Sequence, residues 1–150
     1  MILTKARRTG RSLAKADFES LAEFRYQLRR FLRFSEEATQ ANGITPLQYQ
    51  LMLQVKGFPG REWATVAELA ERLQAKHHGA GALVSRCEAL GLVMRRASQT
   101  DLRRVEIHLT PQGDRTIEQL GRLHRAELES LRELLDQLPS FQTGAEHATA

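Results

Sequence analysis

Two arginine pairs, Arg95-Arg96 and Arg103-Arg104, flank a short polar stretch, Ala97-Ser98-Gln99-Thr100-Asp101-Leu102. Guanidinium groups carry a permanent charge and a fork of donors that matches phosphate oxygens. Upstream, the segment His77 to Arg86 keeps a second set of chemically capable positions once its apolar residues are set aside: His77, His78, Gly79, Gly81, Ala82, Ser85 and Arg86. Imidazole, hydroxyl and guanidinium groups can bond base edges and phosphates, and glycine lets a backbone come close. Between Arg72 and Arg104 seven basic side chains face two acidic ones, Glu88 and Asp101. From Val105 onward four basic residues face eight acidic ones, so the positive charge is concentrated where these groups lie. A polyanion, and double-stranded DNA in particular, is the partner this pattern implies.

Other chemistries find less material. His77 and His78 are adjacent, so on a helix they point about 100° apart and cannot form the i, i+4 metal chelate. No cysteine or carboxylate stands at ligand spacing to them, and no metal or other cofactor is called for. Gly79-x-Gly81 lacks the rest of a nucleotide-binding fingerprint, and no nucleophile–base–acid set is present, which argues against an enzyme. Cys87 is the sole cysteine. It excludes an internal disulfide, suits a reducing cytoplasm, and lies in line with Leu83 and Leu90, where a buried structural thiol is expected. No apolar run is long enough to cross a bilayer, so no membrane association is expected.

The elements that must position these groups can be read from pattern. Thr65 and Glu68 form a capping box for a helix with Val66, Leu69, Ala70 and Leu73 on one face. Gln74-Ala75-Lys76 interrupts it. A second helix carries Ala80, Leu83, Val84, Cys87 and Leu90 on its apolar side and stops at Gly91. Leu92-Val93-Met94 suits a strand, and Val105, Ile107 and Leu109 alternate with polar residues as in a half-buried strand. Helix, turn, helix, then a hairpin with a positive tip is the order of a winged helix-turn-helix. The expected class is therefore mainly α with a small β wing.

In order and spacing this block resembles the MarR family of bacterial regulators. The matching pieces are Thr65-x-x-Glu68-Leu69-Ala70, Glu88-x-x-Gly91-Leu92-Val93, Asp101-x-Arg103 and Leu109-Thr110-Pro111-x-Gly113, and with flanking helices the resemblance covers roughly residues 17 to 138. It implies a homodimer with a winged-helix reader in each subunit, binding a palindromic operator and repressing transcription until a small molecule or oxidation intervenes. It gives Arg103 a minor-groove contact and Asp101 the task of holding it. The peroxide-sensing relatives carry a reactive cysteine near the N-terminus, and this chain has none there. A winged-helix protein acting through dimerisation or protein contacts, without specific DNA binding, is the alternative.

Around the reader (45–110) two long helices are expected. The first, 17–42, is capped by Asp17, carries Phe18, Leu21, Phe24, Leu28, Phe31, Leu32 and Ser35 at helical spacing, and ends at Asn42-Gly43. Between it and the reader's capping box, Thr45-Pro46-Leu47-Gln48 opens a helix with Leu51, Met52 and Val55 inside. The last, 111–138, carries Ile117, Leu120, His124, Leu128, Leu131, Leu135 and Leu138. The resemblance assigns Phe18, Leu21, Leu128, Leu131, Leu135 and Leu138 to a dimer interface. It places a small aromatic or anionic effector near Phe24, Arg25, Leu28, Phe31, Tyr49 and Trp63. Residues 1–16, with Lys5, Arg7, Arg8, Arg11 and Lys15, read as a disordered basic arm, and 139–150 as a disordered tail.

The recognition helix departs from the family, where side chains aimed at bases are usually Ser, Thr, Gln or Arg. Two glycines in one turn cost about 1 kcal/mol each relative to alanine. Three readings are open: close backbone approach with His77, His78, Ser85 and Arg86 reading bases; weak base readout offset by wing and phosphate contacts; or a reader that has lost DNA binding.

Overall fold

The computed structural model describes residues 12–138. The basic residues Lys5, Arg7, Arg8 and Arg11 and the tail 139–150 lie outside the described residues. The element order is α1 (Lys15–Ala41), α2 (Pro46–Lys56), β1 (Trp63–Ala64), α3 (Val66–Arg72), α4 (His77–Ala89), β2 (Val93–Ala97), β3 (Val105–Leu109) and α5 (Pro111–Asp136). The strands form one antiparallel sheet in the order β1-β3-β2.

The helix starts follow the side chains. Thr45 accepts from the Gln48 N–H while the Gln48 amide oxygen accepts from the Thr45 N–H. Thr65 and Glu68 repeat the arrangement at α3, and Thr110 accepts from the Gly113 N–H at α5. The start of α1 differs from expectation. The helix begins at Lys15 with Ala14 as N-cap, and Asp17 is its third residue. The Asp17 carboxylate accepts the Ala14 N–H at 2.8 Å, so it serves the helix start from inside the first turn, where negative charge is also favoured by the helix dipole.

The core of the reader is Leu51, Met52 and Val55 of α2, Leu69 of α3, Val84 and Cys87 of α4, Ala64 and Ile107 of the sheet, and Leu120 of α5, all with no exposed surface. Leu90 falls outside it. It is the C-cap of α4 and 47% exposed, because the helix has already ended at Ala89. Gly91 then takes φ +73°, letting the chain turn while the Leu92 N–H returns to the Cys87 carbonyl. The strand that follows is Val93–Ala97 rather than Leu92–Met94, so Arg95 and Arg96 belong to a strand. The strand β1 was not foreseen. Two residues are too few to show a period, and only the pairing of Trp63 with His108 and Ala64 with Ile107 defines them.

Helix α1 packs against α5 with its polar side. Ser20, Gln27, Ser35 and Thr39 are buried, whereas Phe18, Leu21, Phe24 and Leu32 face out. Those four members of the apolar stripe of α1 thus face solvent among the described residues, while Phe31 and Ser35 of the same stripe turn to α5. His124 of α5 ties the helices together. Its Nδ1–H donates to the Leu120 carbonyl, and Nε2 lies 2.8 Å from the Ser35 hydroxyl. Tyr49 stacks on the imidazole at 4.3 Å, with Phe31 and Phe34 edge-on. The stripe of α5 divides there: Ile117, Leu120 and His124 are buried, Leu128 is 56% exposed, and Leu131, Leu135 and Leu138 are half-buried.

Among the described glycines, Gly113 at the root of α5 has another backbone closest to it. A Cβ on Gly113 would fall inside the van der Waals envelope of the Leu92 carbonyl oxygen, and 3.0 Å from its carbon. Gly113→Ala is expected to destabilise the fold by about 1–3 kcal/mol, the usual cost of overpacking, because both neighbours are backbone. Urea denaturation of the two proteins checks this; an unchanged midpoint would show that α5 and Leu92 part freely.

Candidate nucleic-acid interface

Helix α3, the turn at Gln74 (φ +51°) and helix α4 form the helix-turn-helix. Val66 of α3 approaches Gly81 of α4, and the buried side of α4 (Ala80, Leu83, Val84, Cys87) faces the core. What remains outward is His77, His78, Gly79, Ala82, Ser85 and Arg86, all exposed, with Gly81 half-buried. The structure therefore brings the sequence-derived candidates onto one face, except that Gly81 turns toward α3. A Cβ there would lie 3.9 Å from Val66 Cγ1, whereas one on Gly79 would meet nothing. Neither glycine is at positive φ. No side chain caps the start of α4 at Lys76, so its first N–H groups have no side-chain acceptor.

The wing is held by its own turn. Ser98, 2% exposed, accepts from the Thr100 and Asp101 N–H groups through its hydroxyl; its own N–H donates to the Arg104 carbonyl at 3.0 Å, and the Arg104 N–H donates to the Asp101 carbonyl at 2.9 Å. The Asp101 carboxylate accepts the backbone N–H of Arg103 at 3.0 Å. It holds Arg103 by the main chain and leaves the guanidinium outside. Sequence pattern missed Ser98; a serine two and three residues before Thr100 and Asp101 is the signal, since short hydroxyl side chains bond the backbone just ahead of them.

The four wing arginines are not alike. Arg96, Arg103 and Arg104, with Arg86 of α4, have no carboxylate partner among the described residues. Arg95 is turned back onto α4, where its guanidinium meets the Glu88 carboxylate at 2.7 Å and the Ser85 hydroxyl at 3.1 Å.

A second arginine, absent from the sequence candidates, sets the reader against the sheet. Arg61 lies over the rings of Phe58 (4.2 Å) and Trp63 (3.7 Å) and pairs with Glu68, the acidic member of the α3 capping box. Burial opposes ionisation of Glu68, but the Thr65 N–H and hydroxyl and the Arg61 charge together hold its carboxyl below the usual range. Trp63 in turn stacks on His108 of β3.

The six expected pocket residues are not brought into one cavity. Arg25 and Leu28 line an open groove along α1 with Tyr26, Arg29, Arg30 and Arg33. Phe31 lines another, between α1 and α5, with Gln27, Arg30, Phe34, Leu131 and Leu134. Tyr49 is buried on His124, Trp63 sits under Arg61, and Phe24 is exposed on α1. Cys87 is fully buried, and burial pushes its thiol up to about 11, leaving it protonated and poorly nucleophilic at neutral pH. No group of metal-ligating side chains is found among the described residues, and no described helix is long and apolar enough to cross a membrane.

Comparison with known proteins points the same way as this geometry. Residues 42–104, the reader without its last strand, match the model of the MarR family. A putative transcriptional regulatory protein for the hcr operon of Thauera aromatica is 27% identical over 120 residues, covering 80% of this chain and 69% of that protein. The fold is shared with AbsC, a MarR family transcriptional regulator from Streptomyces coelicolor (TM-score 0.67, 20% identity, 87% of this chain and 85% of that one). It is shared also with a MepR mutant of S. aureus bound to an oligodeoxyribonucleotide (TM-score 0.59, 23% identity, 82% and 85%). The chain is thus similar to the MarR family of transcriptional regulators, in its reader by the family model, and it shares the helix–wing–helix fold of solved members.

Proposed function

We propose that the protein is a homodimeric repressor that sets α4 in the major groove of a palindromic operator and the wing in the flanking minor groove. The observation that carries this reading is the common exposure of the outer face of α4 and of Arg96, Arg103 and Arg104, none of them neutralised by a carboxylate among the described residues. Arginines fixed by a rigid hairpin suit phosphate contact and the narrow minor groove. Dimerisation is supported by the outward apolar face of the long helices, with Phe18 54% and Leu128 56% exposed while polar residues fill the inner side of α1. A second copy laid on that face would bury it as a shared core. For the effector, the groove between α1 and α5 is favoured over the six-residue pocket, because Phe31 and Phe34 there stand with Arg30 and Glu127, a fit for a small aromatic ligand with polar substituents. Release of bound DNA on adding such aromatics is the corresponding assay.

Selection of bound fragments from random DNA tests the reading and yields the operator. On that operator Arg103→Ala is expected to weaken binding by about 1–3 kcal/mol, with light scattering giving twice the chain mass for both proteins. Equal affinity would remove Arg103 from the interface.

The two glycines separate the readings of the recognition helix. Both sit in ordinary helical conformation, so alanine at each should stabilise the fold by up to about 1 kcal/mol. Gly81→Ala packs its methyl on Val66 and should leave DNA affinity unchanged. Gly79→Ala places a methyl on the outer face, so close backbone approach predicts weaker binding. Unchanged or improved affinity at Gly79→Ala would favour readout carried by the wing and phosphates.

A further inference from the structure

Ser85 stands in the third turn of α4, exposed on the outward face. Its hydroxyl oxygen is 3.1 Å from the Gly81 carbonyl oxygen and 3.1 Å from Nη2 of Arg95. A carbonyl oxygen can only accept, and a guanidinium can only donate. The single hydroxyl hydrogen is therefore committed to Gly81, and one of the two lone pairs is filled by Arg95. What Ser85 offers to solvent is one remaining lone pair, an acceptor without a donor. A serine with free rotation about its C–O bond can present either sense, and serine is for that reason an indiscriminate reader of bases.

Arg95 is itself pinned. Nη1 meets Glu88 Oε1 at 2.7 Å, and the Arg95 backbone N–H lies 3.3 Å from Glu88 Oε2. One carboxylate thus fixes both the main chain and the side chain of Arg95, and through it joins β2 to α4. Its charge is locally compensated by Glu88, unlike those of Arg96, Arg103 and Arg104.

We infer that Ser85 is a specificity-determining residue, locked by Arg95 as a pure acceptor, and that it reads the exocyclic amino group of adenine or cytosine in the major groove. The inference rests on the DNA-binding reading above. The amino groups at adenine N6 and cytosine N4 are the donors that the major groove displays; guanine O6 and thymine O4 are acceptors. A locked acceptor is satisfied by the first pair and repelled by the second. Arg95 is then a positioning residue that sets the polarity of its neighbour, rather than a phosphate contact.

The test uses the full chain and the operator obtained by selection. Each adenine is replaced in turn by purine, and each cytosine by 2-pyrimidinone, which removes the amino group alone and tells the two bases apart. Wild type is expected to lose affinity about fivefold at one position in each half-site, the scale of one hydrogen bond. Ser85→Ala, a change on an exposed face, should show no loss at that position and should accept guanine or thymine there as readily. Arg95→Met should keep Ser85 but free its hydroxyl to turn, narrowing the discrimination at the same position, with the mass and melting temperature reporting on the fold. Two results would overturn the inference while leaving DNA binding intact: Ser85→Ala keeping the wild-type preference at every position, or wild type preferring guanine or thymine at the position where Ser85→Ala changes selectivity. Failure of the selection to yield any sequence would overturn the DNA-binding reading, and this inference with it.

Discussion

The Leu92 carbonyl rests against the bare Cα of Gly113, and the geometry of the molecule depends on that approach. Three elements meet there. The same carbonyl accepts the Thr110 N–H at 3.0 Å, and the Thr110 hydroxyl donates to the Gly91 carbonyl at 2.6 Å while accepting from the Gly113 N–H. Thr110 thereby caps α5 and bonds the turn that ends α4 with one side chain. Since β3 runs directly into Thr110, the exit of the recognition helix, the foot of the wing and the root of α5 form one backbone knot. A Cβ at 113 would meet the Leu92 carbonyl, so the root of α5 lies in direct backbone contact with the turn that ends α4.

A second join lies at the other end of α5's buried half. His124 has both ring nitrogens bonded and three aromatic rings around it, and it connects α1, α2 and α5. No buried side-chain polar atom among the described residues lacks a partner, so this polar junction is fully satisfied; such networks specify one arrangement more sharply than apolar contact does. Beyond His124 the helices part company with the core, and their leucines and phenylalanines face outward. The reader and the first half of α5 share one complete core, while the rest of the long helices leaves apolar side chains outside it, and that asymmetry is the physical argument for a second copy.

Local side-chain chemistry made much of this legible in the sequence. Capping boxes at Thr45 and Thr65, the Thr110-Pro111 start and the left-handed Gly91 all depend on residues within a few positions of each other, and all lie where pattern placed them. What pattern could not reach depends on contacts between distant segments. The two-residue strand at Trp63 exists only through its pairing with β3. The bond from Arg95 to Ser85 and the packing of Arg61 on two rings cross from one element to another; charge counting treated Arg95 as equivalent to its neighbours and did not reach Arg61. Periodicity also marked the apolar stripe of α1 without saying which way it faces. In a single chain Phe18, Leu21, Phe24 and Leu32 face out, while Phe31 and Ser35 meet His124 of α5 and Ser20, Gln27 and Thr39 are buried beside them.

The central claim is that one rigid body presents α4 and the wing together, and that two such bodies act as a pair. Hydroxyl-radical and major-groove methylation footprinting of the wild-type protein on its selected operator tests this most directly. The account predicts two protected major-groove patches centred roughly one helical turn, about 34 Å, or a whole multiple of it apart, each with minor-groove protection on its flank from the wing. A single patch, or uniform protection with no groove pattern, would contradict it.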